Sequence, residues 1–321
     1  MKGGRGMDQL RRYEKASIEP TLSVNLSNIK FKNPLILASG VFGMTGSLMR
    51  RVARAGAGGI VAKTVSLEPR EGYDNPVIVE VEGGLLNAIG TPNPGYLNFS
   101  EELKEAKKGG IPIIASIMAP DPEGFAKISV ALEGYGADII ELNVSCPHVS
   151  LMGAQVGQDY SLLREVVRAV KSKVSIPVWV KLTPNVTDIV EEGRAAMDGG
   201  ADALVAINTI KAMTIDIDAY KPILSNRFGG LSGPAIRSIA VRCVYELYEN
   251  TDIQIIGVGG VTDWRSAVEF ILAGASGIQI GSVIAYNGLG VFQEVNEGLL
   301  RYLASKGFES IEDCIGIAHK G

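Results

Sequence analysis

The feature that most limits the fold of this chain is a motif that occurs four times along it. In each copy, a glycine–alanine pair stands just before an apolar run of strand length. The pairs are Gly56-Ala57, Gly136-Ala137, Gly200-Ala201 and Gly274-Ala275, and the runs are residues 60–63, 139–144, 203–207 and 278–280. Glycine readily adopts the left-handed conformation that ends many helices. Each copy therefore predicts a helix end followed by a strand.

Four further apolar runs lie between these copies. They span residues 34–38, 112–115, 177–180 and 253–258, and helical patterns at 160–170, 189–197 and 236–248 separate several of the runs. Eight short strands that alternate with helices predict an α/β fold of the (β/α)8 TIM barrel type. A doubly wound open sheet is the alternative, but no G-x-G-x-x-G follows the first strand, so its dinucleotide-binding version lacks its fingerprint.

Length and composition favour one domain. The chain has 321 residues, which suits a single α/β barrel, and no linker rich in proline or serine divides it. We therefore predict a single domain over residues 1–321, with residues 1–20 as a poorly ordered N-terminal extension. Alternating apolar residues from Leu22 to Phe31, on either side of Ser27-Asn28, predict a small N-terminal β-hairpin that closes the bottom of the barrel.

Charge and composition exclude several kinds of partner. The net charge is −4 and no large basic cluster is present, so a nucleic acid bound through its phosphates is not expected. No apolar run reaches membrane-spanning length, which predicts a cytoplasmic protein with no membrane partner. Three cysteines and two histidines are too few for a disulfide framework, a cysteine-bound iron–sulfur cluster or a histidine-based metal site.

Polar residues follow most of the predicted strands. In a TIM barrel the active site lies at the carboxyl ends of the strands, so these side chains should meet at one mouth. Polar groups that converge between apolar walls describe a pocket for a small molecule. The residues at these strand ends are Ser39, Lys63, Thr64, Ser116, Asn143, Lys181, Asn208 and Thr209.

Glycines follow the last two strands of the predicted barrel. Gly259 and Gly260 come after strand seven, and Gly281 and Ser282 come after strand eight. Backbone N–H groups at these two places commonly bind a phosphate in TIM barrels, which predicts a phosphate site here. Tight turning alone is the alternative, because the chain has 39 glycines.

Lys63 and Lys181 each end an apolar strand. If both side chains point into the mouth, they supply positive charge for an anionic ligand or an electron-rich ring. Lysines at such positions can instead extend into solvent. They can also form a Schiff base, as in the barrel aldolases, so a flavin-free lyase is an alternative function.

The fourth strand leads into a loop with reactive side chains, from Asp138 to His148. Pro147 ends the strand, so Asn143 and Cys146 are brought to one place. A thiol acts as a base or nucleophile when its surroundings lower its pKa, and a buried structural cysteine is the alternative.

Two loops are expected to reach over the mouth. Residues 85–95 are rich in proline and glycine, which predicts a rigid, non-helical binding loop that carries Asn87; an ordinary surface loop is the alternative. Residues 145–160 include Gly153 and Gly157, and we predict that they act as a lid.

Four sequence motifs together resemble the class 1 dihydroorotate dehydrogenases, and most closely the catalytic subunit of the NAD-linked 1B subclass. The resemblance runs from about Leu22 to the C-terminal region. The motifs are Glu141-Leu-Asn-Val-Ser-Cys-Pro147, Leu86-Asn-Ala-Ile-Gly90 with Asn93-Pro-Gly95, Ile207-Asn-Thr209, and Lys221-Pro-Ile-Leu-Ser-Asn-Arg227 with Gly229 through Ile236.

This resemblance implies FMN-dependent oxidation of (S)-dihydroorotate to orotate in de novo pyrimidine (UMP) biosynthesis. Cys146 would remove the proton from C5 while a hydride passes from C6 to N5 of FMN, and Lys63 is the second catalytic residue that the resemblance implies. The implied substrate-binding residues are Lys63, Asn87, Ala88, Ile89, Gly90, Thr91, Asn143, Asn208 and Thr209. The implied flavin-binding residues are Ser39, Lys63, Thr64, Ser116, Asn143, Lys181, Ile207, Gly233, Gly259, Gly260, Gly281 and Ser282.

Two residues depart from the family pattern. His148 follows the Cys-Pro pair where many relatives have asparagine, and dihydropyrimidine dehydrogenases share this Ser-Cys-Pro-His run, so reduction of uracil or thymine is an alternative. Ser116 replaces an asparagine that usually touches the flavin.

The resemblance also implies partners. This chain has no cysteines for an iron–sulfur cluster and no nucleotide fingerprint, so electrons reach NAD only through another subunit. The 1B enzymes imply a homodimer joined to a subunit with FAD and a [2Fe-2S] cluster, which makes a heterotetramer. Fumarate is the alternative electron acceptor, as in class 1A.

Overall fold

The computed structural model describes residues 19–144 and 156–321. Cys146, His148, most of the predicted lid and residues 1–18 of the predicted extension lie outside the described residues. The strands are β1 (Val24–Leu26), β2 (Ile29–Phe31), β3 (Leu35–Leu37), β4 (Gly59–Val61), β5 (Ile78–Val81), β6 (Gly84–Asn87), β7 (Ile113–Ile117), β8 (Ile139–Asn143), β9 (Val178–Lys181), β10 (Ala203–Ala206), β11 (Ile210–Ala212), β12 (Ile215–Asp216), β13 (Lys221–Pro222), β14 (Gly229–Ser232), β15 (Gln254–Val258) and β16 (Ala275–Ile280).

Eight of these strands form a closed parallel barrel, which confirms the predicted (β/α)8 architecture and excludes the open doubly wound sheet. Their order around the barrel is β3-β4-β7-β8-β9-β10-β15-β16, and β16 pairs with β3 to close the ring. Each barrel strand coincides with one of the eight predicted apolar runs, with ends that differ by a few residues. The runs are continuously apolar because both faces of a barrel strand are covered.

The helices of the described residues connect and surround these strands. They are α1 (Gly46–Arg54), α2 (Ser100–Lys107), α3 (Pro122–Gly134), α4 (Tyr160–Lys171), α5 (Ile189–Gly199), α6 (Arg237–Asn250), α7 (Trp264–Leu272), α8 (Ile284–Asn287) and α9 (Val291–Lys306). None of them is long and apolar enough to cross a lipid bilayer. The core lies inside the barrel and between the barrel and this helical layer, where Met49, Phe125 and Phe270 are fully buried.

Local sequence explains where these helices begin and end. At the start of α5, the carboxylate of Asp188 accepts hydrogen bonds from the N–H groups of Val190 and Glu191, which have no partner within the helix. Gly200 ends α5 at φ +98°, a left-handed conformation that glycine adopts without steric cost. The glycines of the other three repeated motifs also have positive φ, so the predicted helix ends are confirmed.

The predicted N-terminal hairpin is confirmed and lies across the amino ends of the barrel strands. β1 and β2 pair as antiparallel strands around Ser27-Asn28. The Ser27 hydroxyl accepts a hydrogen bond from Trp179 Nε1 at 2.9 Å, and the Ser27 N–H donates to Gln254 Oε1 at 2.7 Å. Because Trp179 and Gln254 belong to barrel strands, these bonds fix the hairpin at the bottom of the barrel.

The opposite end of the barrel carries a structure that the sequence reasoning did not predict. β11, β14, β6 and β5 form an antiparallel sheet in that order. The predicted binding loop begins at residue 85, but residues 85–87 belong to β6 and pair with both β5 and β14, so this part of the prediction is wrong. The strands of this sheet come from three separate parts of the chain, so no local sequence pattern predicts the complete sheet.

Candidate active site

A cavity of about 410 Å³ opens at the carboxyl ends of the barrel strands. Its volume lies within the range of sites that bind small molecules and cofactors. Strand ends and the loops that follow them form most of its wall, and Leu85, Asn87 and Ser232 of the antiparallel sheet line one side. The predicted pocket at the mouth is therefore present.

A chain of hydrogen-bonded polar side chains runs around the cavity wall. The Ser39 and Thr64 hydroxyls lie 3.1 Å apart, and Asn143 Nδ2 donates to Thr64 Oγ1 at 3.3 Å. Asn208 Nδ2 in turn donates to Asn143 Oδ1 at 3.3 Å. The Thr209 N–H donates to Asn208 Oδ1 at 2.8 Å. Each hydrogen bond determines the orientation of the next amide group. These linked side chains therefore present a preorganised set of polar groups to the cavity.

A second polar group crosses the interior of the barrel below the first. Lys181 Nζ donates to Gln279 Oε1 at 3.0 Å, and Gln279 Nε2 donates to Glu141 Oε2 at 2.7 Å. Lys181 Nζ also lies 4.0 Å from Glu141 Oε1. Lys181 and Gln279 line the cavity, whereas the Glu141 side chain is fully buried beneath its floor. Lys63 lines the same cavity, so both strand-end lysines face it.

The segment that follows β6 holds the predicted binding residues against the cavity. Asn87 Nδ2 donates to the carbonyl oxygen of Gly230 at 3.2 Å. Asn93 Oδ1 accepts hydrogen bonds from the N–H groups of Ser66 and Gly95, which ties this segment to the barrel. Ile89, Gly90 and Thr91 line the cavity.

The glycine-rich ends of strands seven and eight present free backbone donors to the cavity. Gly259, Gly260, Gly281 and Ser282 all line it, and within the described residues none of their N–H groups donates a backbone or side-chain hydrogen bond. Gly259 and Gly260 have φ of +130° and +80°, which side-chain-bearing residues rarely adopt. Unpaired N–H groups clustered in a cavity fit an anionic group such as a phosphate.

The structure brings most of the predicted site residues to this one cavity. Ala88 is fully buried and does not line it; its N–H donates to the carbonyl oxygen of Val77. Ser116 is also buried and reaches the cavity only through Thr64, whose Oγ1 lies 2.9 Å from Ser116 Oγ. The predicted residues that line the cavity are Ser39, Lys63, Thr64, Asn87, Ile89, Gly90, Thr91, Asn143, Lys181, Ile207, Asn208, Thr209, Gly233, Gly259, Gly260, Gly281 and Ser282.

Sequence reasoning missed three polar residues that support this site. Glu141 and Gln279 interrupt apolar strands, and a polar residue at an inward-facing strand position is a signal that could have found them. Asn185 follows Pro184 after β9; its Nδ2 donates to the carbonyl oxygen of Thr209, and its Oδ1 accepts from the N–H of Lys211. Asn185 therefore holds the segment between β10 and β11, which carries Thr209.

The two described cysteines are structural. Cys243 and Cys314 lie in the core, and burial raises the pKa of each thiol to about 11, so neither is a thiolate near neutral pH. Neither of them lines the cavity.

Fold and cavity together define the class: an α/β-barrel protein with a polar cavity and a cluster of unpaired backbone N–H groups at its mouth. Residues 21–303 match the family model described as dihydroorotate dehydrogenase. The chain is 53% identical over 299 residues, 93% of this chain and 99% of the relative, to dihydroorotate dehydrogenase B (NAD(+)), catalytic subunit, of Pyrococcus abyssi.

A relative of the same name from Methanocaldococcus jannaschii is 48% identical over 306 residues, which cover 94% of this chain and 99% of the relative. The chain therefore belongs to the dihydroorotate dehydrogenase family, whose members are flavin-dependent oxidoreductases. This membership favours an oxidoreductase over the Schiff-base lyase.

Proposed function

We propose that this chain is a single-domain catalytic subunit that oxidises (S)-dihydroorotate to orotate with FMN, in the de novo synthesis of UMP. One observation is the main support for this proposal. The hydrogen-bonded side chains from Ser39 to Thr209 and the free N–H groups of the two glycine-rich turns lie in the same cavity. Family membership supports oxidation of dihydroorotate in pyrimidine biosynthesis.

One part of the cavity suits an anionic pyrimidine. Lys63 supplies positive charge for the substrate carboxylate, and Asn87, Asn143 and Asn208 supply amide donors and acceptors for the ring. Thr209 and the backbone from Ala88 to Thr91 complete the proposed substrate-binding set. The hydrogen bonds between these side chains hold them in place before substrate binds, which lowers the entropy cost of binding.

The remainder of the cavity suits FMN. Gly259, Gly260, Gly281 and Ser282 would bind its phosphate, and Ser39, Thr64, Lys181, Ile207 and Gly233 would contact the rest of the cofactor, with Ser116 behind Thr64. When bound, FMN supplies a two-electron acceptor for the hydride that leaves C6 of dihydroorotate.

Cys146 is the proposed general base, which removes the proton from C5 of the substrate. It follows β8 by three residues, and β8 ends at Asn143 on the cavity wall. A base must lie within hydrogen-bond reach of the proton that it removes. Lys63 is the second proposed catalytic residue, and it positions the substrate through its charge.

Electrons then pass towards NAD through a partner. The relatives are named catalytic subunits of an NAD(+)-linked enzyme, which implies a further subunit in those proteins. We propose a homodimer of this chain that binds a subunit with FAD and a [2Fe-2S] cluster. Fumarate as acceptor is the alternative, and a steady-state assay with each acceptor distinguishes the two.

The test of the function is anaerobic titration of the purified protein. We expect a yellow protein that releases FMN on denaturation and whose flavin is bleached by dihydroorotate but not by dihydrouracil. A colourless protein that does not take up FMN contradicts the proposal. Bleaching by dihydrouracil alone supports the dihydropyrimidine dehydrogenase alternative, which the Ser-Cys-Pro-His run raises.

Cys146→Ser tests the general base. A serine hydroxyl is a far weaker base near neutral pH, so we expect flavin reduction by dihydroorotate to slow by at least about 100-fold while FMN still binds. Stopped-flow absorbance of the flavin gives the rate. Cys243→Ser, at a buried position outside the cavity, is the matched control, and an unchanged rate in Cys146→Ser removes this residue from the role.

A further inference from the structure

A polar bridge spans the inside of the barrel below the cavity. Glu141 lies on β8, Gln279 on β16 and Lys181 on β9. In the ring of eight strands β8 and β16 stand opposite each other, so the hydrogen bond between Glu141 and Gln279 crosses the barrel interior. The bridge therefore links the floor of the cavity to a carboxyl group with no access to solvent.

The chemistry of the three groups fixes how they are oriented. An ammonium group only donates hydrogen bonds, and a carboxylate only accepts them. The Gln279 amide satisfies both neighbours in one orientation, with Oε1 towards Lys181 and Nε2 towards Glu141. Gln279 is thus held at both ends, and it holds Lys181 in turn.

The bridge leaves part of the Lys181 ammonium available to the cavity. Within residues 19–144 and 156–321, Lys181 makes one hydrogen bond, to Gln279, so two of its three N–H donors remain. Lys181 is 6% exposed and lines the cavity, which leaves these donors for an occupant. An ammonium is costly to bury without a counter-charge, and Glu141 is the carboxylate that supplies it at 4.0 Å.

The bridge satisfies only one of the two carboxylate oxygens of Glu141. Its Oε1 is buried and has no hydrogen-bond partner among the described residues, and the nearest opposite charge is Lys181. An apolar residue at this position would pack in the barrel without that desolvation cost. The carboxylate is therefore placed where its charge acts on Lys181.

We infer that Glu141 is a positioning residue for the flavin chemistry. It holds the charged Lys181 ammonium against the flavin, both by its own charge and through the hydrogen bonds of Gln279. This inference rests on the proposed FMN site. Two-electron reduction adds negative charge to a flavin ring, and a fixed ammonium at the cavity wall stabilises that charge. Glu141 thereby raises the affinity of the protein for reduced flavin relative to oxidised flavin, although its own charge is negative.

The sign of the effect makes the inference testable. If Glu141 acts through Lys181, then Glu141→Gln displaces the ammonium, and the flavin midpoint potential falls. We expect at least tenfold weaker relative binding of reduced flavin, which is about 30 mV for a two-electron couple. If Glu141 acted only as a nearby negative charge, its removal would raise the potential. A rise or no change overturns the inference.

A double-mutant cycle further distinguishes an effect of Glu141 through Lys181 from a direct effect of its negative charge on the flavin. In a Lys181→Met background, Glu141→Gln should no longer lower the potential, because the group through which it acts is absent. A further fall in that background overturns the inference. Gln279→Met serves as a second variant should Glu141→Gln not fold; it breaks both hydrogen bonds without a change of charge and should also lower the potential.

Glu192→Gln is the matched control, because Glu192 is also a fully buried glutamate, but its side chain accepts its hydrogen bond from the N–H of Thr183 and not from Gln279. Its flavin potential should equal that of the wild type, and FMN content and melting temperature are recorded for each variant. The two hypotheses fail in distinguishable ways. A wild-type protein without flavin contradicts the proposed function, whereas a normal wild type with an unchanged potential in Glu141→Gln contradicts this inference alone.

Discussion

Glu192 is a buried carboxyl group, and within residues 19–144 and 156–321 one N–H group donates to it. The N–H of Thr183 lies 3.1 Å from Oε1 and 3.2 Å from Oε2. Burial raises the pKa of Glu192 well above its usual value, and the hydrogen bond from Thr183 opposes this only in part. Because Thr183 begins the turn that carries Asn185, this carboxyl supports the segment that holds Thr209.

The raised pKa of Glu192 predicts how stability depends on pH. Above the usual glutamate pKa of about 4.3, the unfolded chain loses this proton while the folded protein keeps it. The free energy of unfolding then falls as pH rises, by about 1.4 kcal/mol per pH unit for this group, until the folded-state pKa is reached.

Glu192→Gln has no such proton to lose, so its stability relative to the wild type should increase across the same pH range. Urea unfolding of both proteins from pH 4 to pH 8 measures the difference. A difference that does not change with pH contradicts the raised pKa.

Among the secondary-structure elements, β14 contacts two of the proposed substrate-binding residues. It lies between β11 and β6, so Gly230 contacts Thr209 on one side and Asn87 on the other. A Cβ at Gly230 would stand 2.2 Å from Thr209 Oγ1 and 2.7 Å from Thr209 Cβ. The absence of a side chain here lets the strand pass close to the proposed substrate site.

Gly230→Ala should therefore displace Thr209 and weaken substrate binding. We expect the KM for dihydroorotate to rise about tenfold, equal to about 1.4 kcal/mol, with FMN content unchanged. Gly134→Ala is the control, because a Cβ at that position meets no atom within 4 Å. Equal KM values for both variants would show that Thr209 does not bind substrate.

At the scale of the whole molecule, one end of the barrel contributes to stability and the other end carries the candidate site. The hairpin of β1 and β2 closes the amino ends of the strands, where Leu26 is fully buried. The candidate site occupies the carboxyl ends, where side chains from many strands converge. Such a division lets stability and binding change independently, as is usual for this fold.

Leu26→Ala tests this division. A large-to-small change in a packed core lowers the free energy of unfolding by about 2–5 kcal/mol, and we expect a loss in that range by urea unfolding. FMN affinity should stay within about twofold of the wild type. Leu97→Ala, at a position 64% exposed, is the control and should change stability by less than about 0.5 kcal/mol. A large loss of FMN affinity in Leu26→Ala would contradict the separation of the two ends.

The sequence by itself determined the barrel strands, several helix ends and the residues at the mouth. These features depend on local chemistry. An apolar run forms a buried strand, Gly200 adopts a left-handed conformation that other residues avoid, and the residue after each strand reaches the same end of a parallel barrel. Short-range patterns along the chain therefore sufficed for them.

Only the tertiary structure decided which polar groups meet. Glu141 and Gln279 are 138 residues apart, and Asn87 and Gly230 are 143 residues apart. Such contacts exist because the barrel closes and an antiparallel sheet assembles over its mouth from distant segments. Their partners depend on strand order, register and the direction of each side chain across the barrel, and no local pattern specifies these.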